Sequence, residues 1–186
     1  MRPRVERLPD GHRWLRVADP RWADPLDPSY AMTFGARWNR PGSFPTLYLN
    51  EDMLTARAQV TALLSGSPVE PDDLDDGFDL IVTMLPRSQD VADAISDRGL
   101  TALGLPASYP NHANGRPVRH EACQPVGQAV KDEGLRGVHA QSAATHDGSG
   151  RELAWFPARE SSRATLHARL RYRDWWYQSE MSRLSE

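Results

Sequence analysis

Gly137-Val138-His139-Ala140-Gln141 and Glu152-Leu153-Ala154-Trp155-Phe156 flank the turn-rich Asp147-Gly148-Ser149-Gly150. Two β-prone runs on either side of glycines that accept tight turns read as a hairpin. Upstream of it, 122–133 reads as a helix ending at Gly134, and Asp79-Leu80-Ile81-Val82-Thr83-Met84-Leu85 reads as a strand. After that strand, Ser88 has the chemistry of an N-cap for a helix carrying Val91 and Ile95 and stopped at Gly99. Thr46-Leu47-Tyr48-Leu49 is β-prone and feeds a helix in which Met53, Ala56, Val60, Leu63 and Leu64 fall on one stripe. Trp14-Leu15-Arg16-Val17 reads as a first strand, followed by a loop that Pro20, Pro25 and Pro28 keep irregular. The Pro/Asp-rich stretch 68–76 reads as a surface connection. Near the C-terminus Leu166, Ala168, Leu170 and Tyr172 alternate with His167, Arg169, Arg171 and Arg173, the period of a half-buried strand with a solvated arginine face. The predicted fold is α+β, a mainly antiparallel sheet with flanking helices.

The 186 residues suit one domain, and a net charge of −3 argues against a general polyanion binder, whose affinity rests on many cation–phosphate contacts. The longest apolar run is Leu153-Ala154-Trp155-Phe156, far short of the roughly 20 residues a membrane span needs. The basic start, Met1 to Arg7, precedes no apolar stretch, so no secretory signal is read and a cytoplasmic location is expected. A single cysteine, Cys123, rules out an intramolecular disulfide and a cysteine zinc cage. His112, His120, His139 and His146 lack the paired spacing of a helical zinc motif, so no metal is expected. Lys131 is the only lysine, and positive charge is otherwise arginine.

The residues most able to do chemistry lie in Gly35-Ala36-Arg37-Trp38-Asn39-Arg40-Pro41-Gly42. Glycines and a proline hold a loop that displays two guanidinium forks suited to a pyrophosphate, and Trp38 either stacks on a ring or plugs the core. Tyr48 follows in the next strand. Gln59 borders the buried stripe of the next helix and needs a hydrogen-bond partner there, either backbone or ligand. No Gly-x-Ser-x-Gly elbow surrounds Ser142, so a hydrogen-bonding role suits it better than nucleophilic attack. In the tail, Arg169, Arg171 and Arg173 interleave with Tyr172, Trp175 and Trp176, a composition found on nucleic-acid surfaces, but specific nucleic-acid binding is not expected. Trp175-Trp176-Tyr177 packs on the core or forms a contact surface for self-association or a partner.

Together, Gly35-Ala36-Arg37-Trp38-Asn39, Thr46-Leu47-Tyr48-Leu49, the helix Cys123-Gln124-Pro125-Val126-Gly127 and Gly137-Val138-His139-Ala140-Gln141-Ser142-Ala143 resemble the RES-domain family, over about 14–156 of a single domain spanning 1–186. The resemblance implies an ADP-ribosyltransferase-like fold and a toxin of a bacterial toxin–antitoxin pair that degrades NAD at the nicotinamide–ribose bond. It further implies an Xre-type antitoxin as partner, water or inorganic phosphate as acceptor, and NAD as substrate rather than as a prosthetic group. Carried over by position, Arg37, Tyr48 and Ser142 match family residues, and Arg16 matches a pocket arginine. On this reading Arg37 and Arg16 hold the pyrophosphate, and Asn39 shapes the loop around it. Tyr48 meets the nicotinamide half, and Ser142 bonds the carboxamide or ribose. The family glutamate falls at Gln59, an amide in place of an acid, which would orient the ribose hydroxyls or the acceptor. A carboxylate from another element, Glu51, Asp52 or Glu152, is the alternative source of negative charge, and a module that binds without turnover is the alternative function.

Overall fold

A computed structural model describes residues 2–178 except 75, 146, 160 and 161. Strands β1 (Val5–Leu8), β2 (Arg13–Ala18), β3 (Leu47–Asn50), β4 (Asp79–Met84), β5 (Gln89–Ala94), β6 (Gly137–Gln141), β7 (Arg151–Trp155) and β8 (Thr165–Leu170) form a sheet in the order β1-β5-β6-β7-β3-β2-β4-β8. β5 and β6 run parallel, and the other neighbouring pairs run antiparallel. Helices α1 (Ser29–Phe34), α2 (Met53–Leu64), α3 (Asp97–Leu103), α4 (His120–Asp132) and α5 (Tyr172–Trp176) complete the α+β architecture.

Alternation along the strands sorts side chains onto two faces. On one face Ala92, Ala94, Val138, Ala140, Ala154 and Tyr48 pack with Leu100 and Leu103 of α3 and Cys123 and Val130 of α4. Further along that face Leu15, Val17, Leu80 and Val82 pack with Ala56 and Val60 of α2 and with Tyr172 and Trp175 of α5. The opposite face buries Trp14, Ala18, Leu47, Leu49, Ile81, Val91, Leu153 and Trp155 beneath Leu26 and Ala164 from connecting segments.

The hairpin, the strand at 79–84 and the helix before Gly134 form where the pattern places them. The stretch after Ser88 does not: Gln89–Ala94 is a strand, held by β1 on one edge and β6 on the other, with Val91, Ala92 and Ala94 buried. Cover on both faces erases the period-two signal, and pairing on both edges overrides the cap chemistry of Ser88. The helix begins instead at Asp97, capped by Ser96, whose side chain accepts from the Gly99 N–H, and it runs past Gly99 to a left-handed Gly104. Sequence reading also passes over the charged edge strand β1 and over α1, which starts directly after Pro28. In the tail, β8 stops at Leu170, and Tyr172 opens α5 instead of extending the strand. Tyr172 and Trp175 are buried, and their polar atoms donate to Pro71 O and Phe78 O at 2.8 Å each. These aromatics are core, so they are not available to stack on bases. Arg169 is likewise not simply solvated, since its Nε donates to Asp79 Oδ2 at 2.5 Å.

His139 sits on the face opposite α2, α3 and α4, its Nδ1 2.9 Å from Glu6 Oε2 and its Nε2 3.7 Å from Glu51 Oε2. Burial opposes its protonation, but the two carboxylates outweigh burial and raise its pKa from 6.5 to about 9. A raised histidine pKa stabilises the fold fully below the unfolded value, and that stabilisation is lost as pH climbs through the folded value. Urea unfolding should therefore show stability falling by on the order of 2 kcal/mol between about pH 6.5 and 9, allowing for solvent screening at the partly open carboxylates. The His139→Gln variant should show a nearly flat profile over that interval; a wild-type slope in the variant would refute the assignment.

Candidate functional site

The loop between α1 and β3 is shaped by atoms that leave it little freedom. Gly35 has φ +72°, and a Cβ there would fall 2.6 Å from Pro41 Cδ, so the turn needs glycine. The Asn39 side chain, fully buried, donates to Ala31 O at 2.5 Å and accepts from the Tyr48 hydroxyl at 2.9 Å. The same hydroxyl accepts from the Trp38 N–H at 2.9 Å. Tyr48 thus latches the loop to β3, and burial holds its phenol far above its ordinary pKa. From the other side, α4 meets the loop at Gly127, where a Cβ would lie 1.8 Å from Trp38 O.

Pinned in this way, the loop turns Arg37 toward α4. Its Nη1 donates to Val118 O at 2.9 Å and lies 4.0 Å from Cys123 Sγ. Burial alone would lower the guanidinium pKa, but Tyr109, Glu152 and Cys123 more than offset it, so Arg37 stays firmly cationic. His120, at the start of α4, is pushed down by its burial and then by the Arg37 charge.

β7 brings in an acid. Glu152 pairs with Asn50 across β3–β7 and with Ala140 across β6–β7, and it shares the helix-covered face with Ala154 and Tyr48. Its Oε2 accepts from the Ser142 hydroxyl at 3.1 Å, and Ser142 Oγ in turn accepts from the Ala144 N–H at 3.2 Å. Burial raises the Glu152 pKa, opposed by the charge of Arg37, the Ser142 hydrogen bond and the Trp38 indole. That indole N–H faces the carboxylate. The buried Tyr109 hydroxyl sits against Arg37 and Cys123. Perturbed ionisable groups gathered in this way around a guanidinium mark a candidate functional site. An open cleft of about 1030 Å³ is lined by His112, Asn114, Arg116, Arg119 and Glu121 around Val118, with none of the cluster's side chains in its wall.

Gln59 on α2 is half-buried and accepts from Asn50 Nδ2 at 2.6 Å. Through Asn50 it reaches the edge of the same cluster. Arg16 does not: it is flanked on β2 by Trp14 and Ala18 of the opposite face. There its guanidinium lies 5.4 Å from the Trp22 ring, and burial lowers its pKa to about 10 despite Asp24 and Asp27. The sheet therefore brings together Arg37, Tyr48, Asn39 and Ser142, with Gln59 at the margin, and separates Arg16 from them. Glu152, Tyr109 and Cys123 join the cluster. Of these, Glu152 is legible in sequence as an acid beside an apolar run and Cys123 as the head of the Cys123–Gly127 motif, whereas Tyr109 carries no such signal.

The RES domain model matches residues 4–178, well beyond 14–156 at both ends. No curated protein matches the sequence. Among solved structures, a chain of the M. tuberculosis MbcT–MbcA toxin–antitoxin complex has the same fold, with a TM-score of 0.67 at 19% identity over 89% of this chain and 86% of that one. Among the described residues no helix is long and apolar enough to cross a membrane.

Tyr48→Phe keeps the ring and removes the latch, leaving the Trp38 N–H and Asn39 Oδ1 each short of a partner. Stability measured by urea unfolding should fall by about 1–3 kcal/mol. A variant as stable as the parent would show that the hydroxyl does not hold the loop.

Proposed function

The chain belongs to the RES-domain family, and on that premise we propose that it is the toxin of a bacterial toxin–antitoxin pair, degrading NAD by breaking the nicotinamide–ribose bond with water or inorganic phosphate as acceptor. The observation that carries this reading is the cluster in which the half-buried guanidinium of Arg37 meets the charge of Glu152, whose carboxylate accepts from the Ser142 hydroxyl. A dinucleotide offers complementary groups: a pyrophosphate for the guanidinium, and ribose hydroxyls and a carboxamide for the serine hydroxyl. Nicotinamide leaves as a neutral molecule, so departure needs no proton. Catalysis then rests on stabilising positive charge at the anomeric carbon.

In this scheme Arg37 grips the pyrophosphate, and Asn39 and Tyr48 act as positioning residues that fix the loop carrying it. The exposed part of the Tyr48 ring borders the nicotinamide half. Ser142 bonds the ribose or carboxamide, and Gln59 with Asn50 lines the acceptor side. Arg16, on the other face, takes no part. An Xre-type antitoxin is the proposed partner, with the toxin–antitoxin assembly of the structural neighbour as support.

A second reading, a module that binds NAD without turnover, rests on the amide at Gln59. NAD consumption by the purified protein, with and without inorganic phosphate and with nicotinamide and ADP-ribose products separated, decides between them. Nicotinamide release is expected. A silent parent that Gln59→Glu switches on would favour the binding module. Arg37→Ala should weaken NAD binding in calorimetry about 100-fold, the effect of losing charge-assisted hydrogen bonds in a partly buried site. Unchanged affinity would remove Arg37 from the pyrophosphate.

A further inference from the structure

Resting on the NAD-cleaving reading above, the remaining question is which group supplies negative charge when Gln59 cannot. Three acids lie on neighbouring elements, and the geometry separates them. Asp52 caps α2, its Oδ1 accepting from the Thr55 N–H at 2.7 Å. Glu51 turns to the opposite face, where it lies 3.7 Å from His139. Glu152 alone shares a face with Tyr48, accepts from Ser142 and feels the Arg37 charge. It is also the cross-strand neighbour of Asn50, the residue that holds Gln59. Side chains paired in this way on one face stand about 5 Å apart at Cβ, so Glu152 and Gln59 border the same small volume from strand and helix.

We propose that Glu152 is the catalytic carboxylate of this chain, supplying from β7 the charge that Gln59 on α2 does not carry. The C–N bond between ribose and nicotinamide breaks with its electron pair going to the ring nitrogen. The ionised carboxylate stabilises the cationic ribose that remains. When water is the acceptor, its oxygen bonds the anomeric carbon, and its proton passes to Glu152 and from there to solvent. When inorganic phosphate is the acceptor, a phosphate oxygen forms that bond and no base is needed. Ser142 and Arg37 act on Glu152, the hydroxyl by orienting it and the guanidinium by favouring its charged form.

The groups facing Glu152 are Arg37 from the loop, Tyr48 from β3, Tyr109 from the segment before α4 and Cys123 from α4. Tyr48, Tyr109 and Cys123 are all shifted upward and titrate on the alkaline side. Besides Glu152, the group near Arg37 that titrates on the acid side is His120. The test is nicotinamide release across pH by the parent, Glu152→Gln, Glu152→Asp and the double variant Gln59→Glu/Glu152→Gln, with NAD affinity by calorimetry and folding by circular dichroism. Glu152→Gln should bind NAD within about threefold of the parent, turn over on the order of 100-fold more slowly and lose the acid limb of the pH profile. Glu152→Asp should keep that limb at reduced rate, and the double variant should recover part of the loss. A parent that cleaves NAD while Glu152→Gln matches its rate overturns the role of Glu152 and leaves the NAD reading intact. An acid limb that survives in Glu152→Gln belongs to His120 and also overturns it. A parent that releases no nicotinamide overturns both.

Discussion

Everything in the cluster depends on how closely α4 approaches the loop at Trp38. Gly127 has no Cβ, and any other residue would drive one to 1.8 Å from the Trp38 carbonyl oxygen. With the helix that close, Trp38 is fully buried and Cys123 and Val118 come within reach of the Arg37 guanidinium. The Tyr48 hydroxyl fixes the same peptide from the sheet side. A loop clamped between helix and strand holds its arginine in one geometry before any ligand arrives, which reduces the ordering cost that binding would otherwise carry. The glycines and the tyrosine hydroxyl thus set the backbone position of the loop.

The sheet also partitions charge. His139 with Glu6 and Glu51 forms a neighbourhood on one face, and Arg37 with Glu152 forms another across the sheet. In a partly desolvated recess each charge acts more strongly than it would in water, so the balance between one cation and one anion sets what the site attracts. Burial draws Glu152 toward its neutral form and Arg37 draws it back.

Local chemistry made part of this visible from sequence. The hairpin around Gly148 and the helix that ends before Gly134 announce themselves by turn residues, and β4 by a run of apolar residues. The strand β5 was hidden because pairing on both edges and cover on both faces are tertiary facts that no seven-residue window contains. In the site, Arg37, Tyr48 and Ser142 stand out through their motifs. Arg16 looked equivalent because its motif says nothing of which sheet face it occupies. That follows from register, where Leu15 rather than Arg16 pairs with Asn50. Tyr109 is an ordinary core residue in sequence and gains significance only from the charges around it.

If Glu152 supplies the charge as proposed, the amide at position 59 has a physical logic. Two carboxylates bordering one desolvated recess repel, and one of them is then held neutral, as in any close acid pair. An amide avoids that repulsion and keeps an acceptor for Asn50 Nδ2 at 2.6 Å. A strand is also a firmer platform for the acid than a helix surface, because β7 is hydrogen-bonded to β6 on one side and β3 on the other. The backbone that carries the carboxylate is therefore fixed by the sheet itself, and α2 contributes a neutral side chain that Asn50 of the neighbouring strand holds in place.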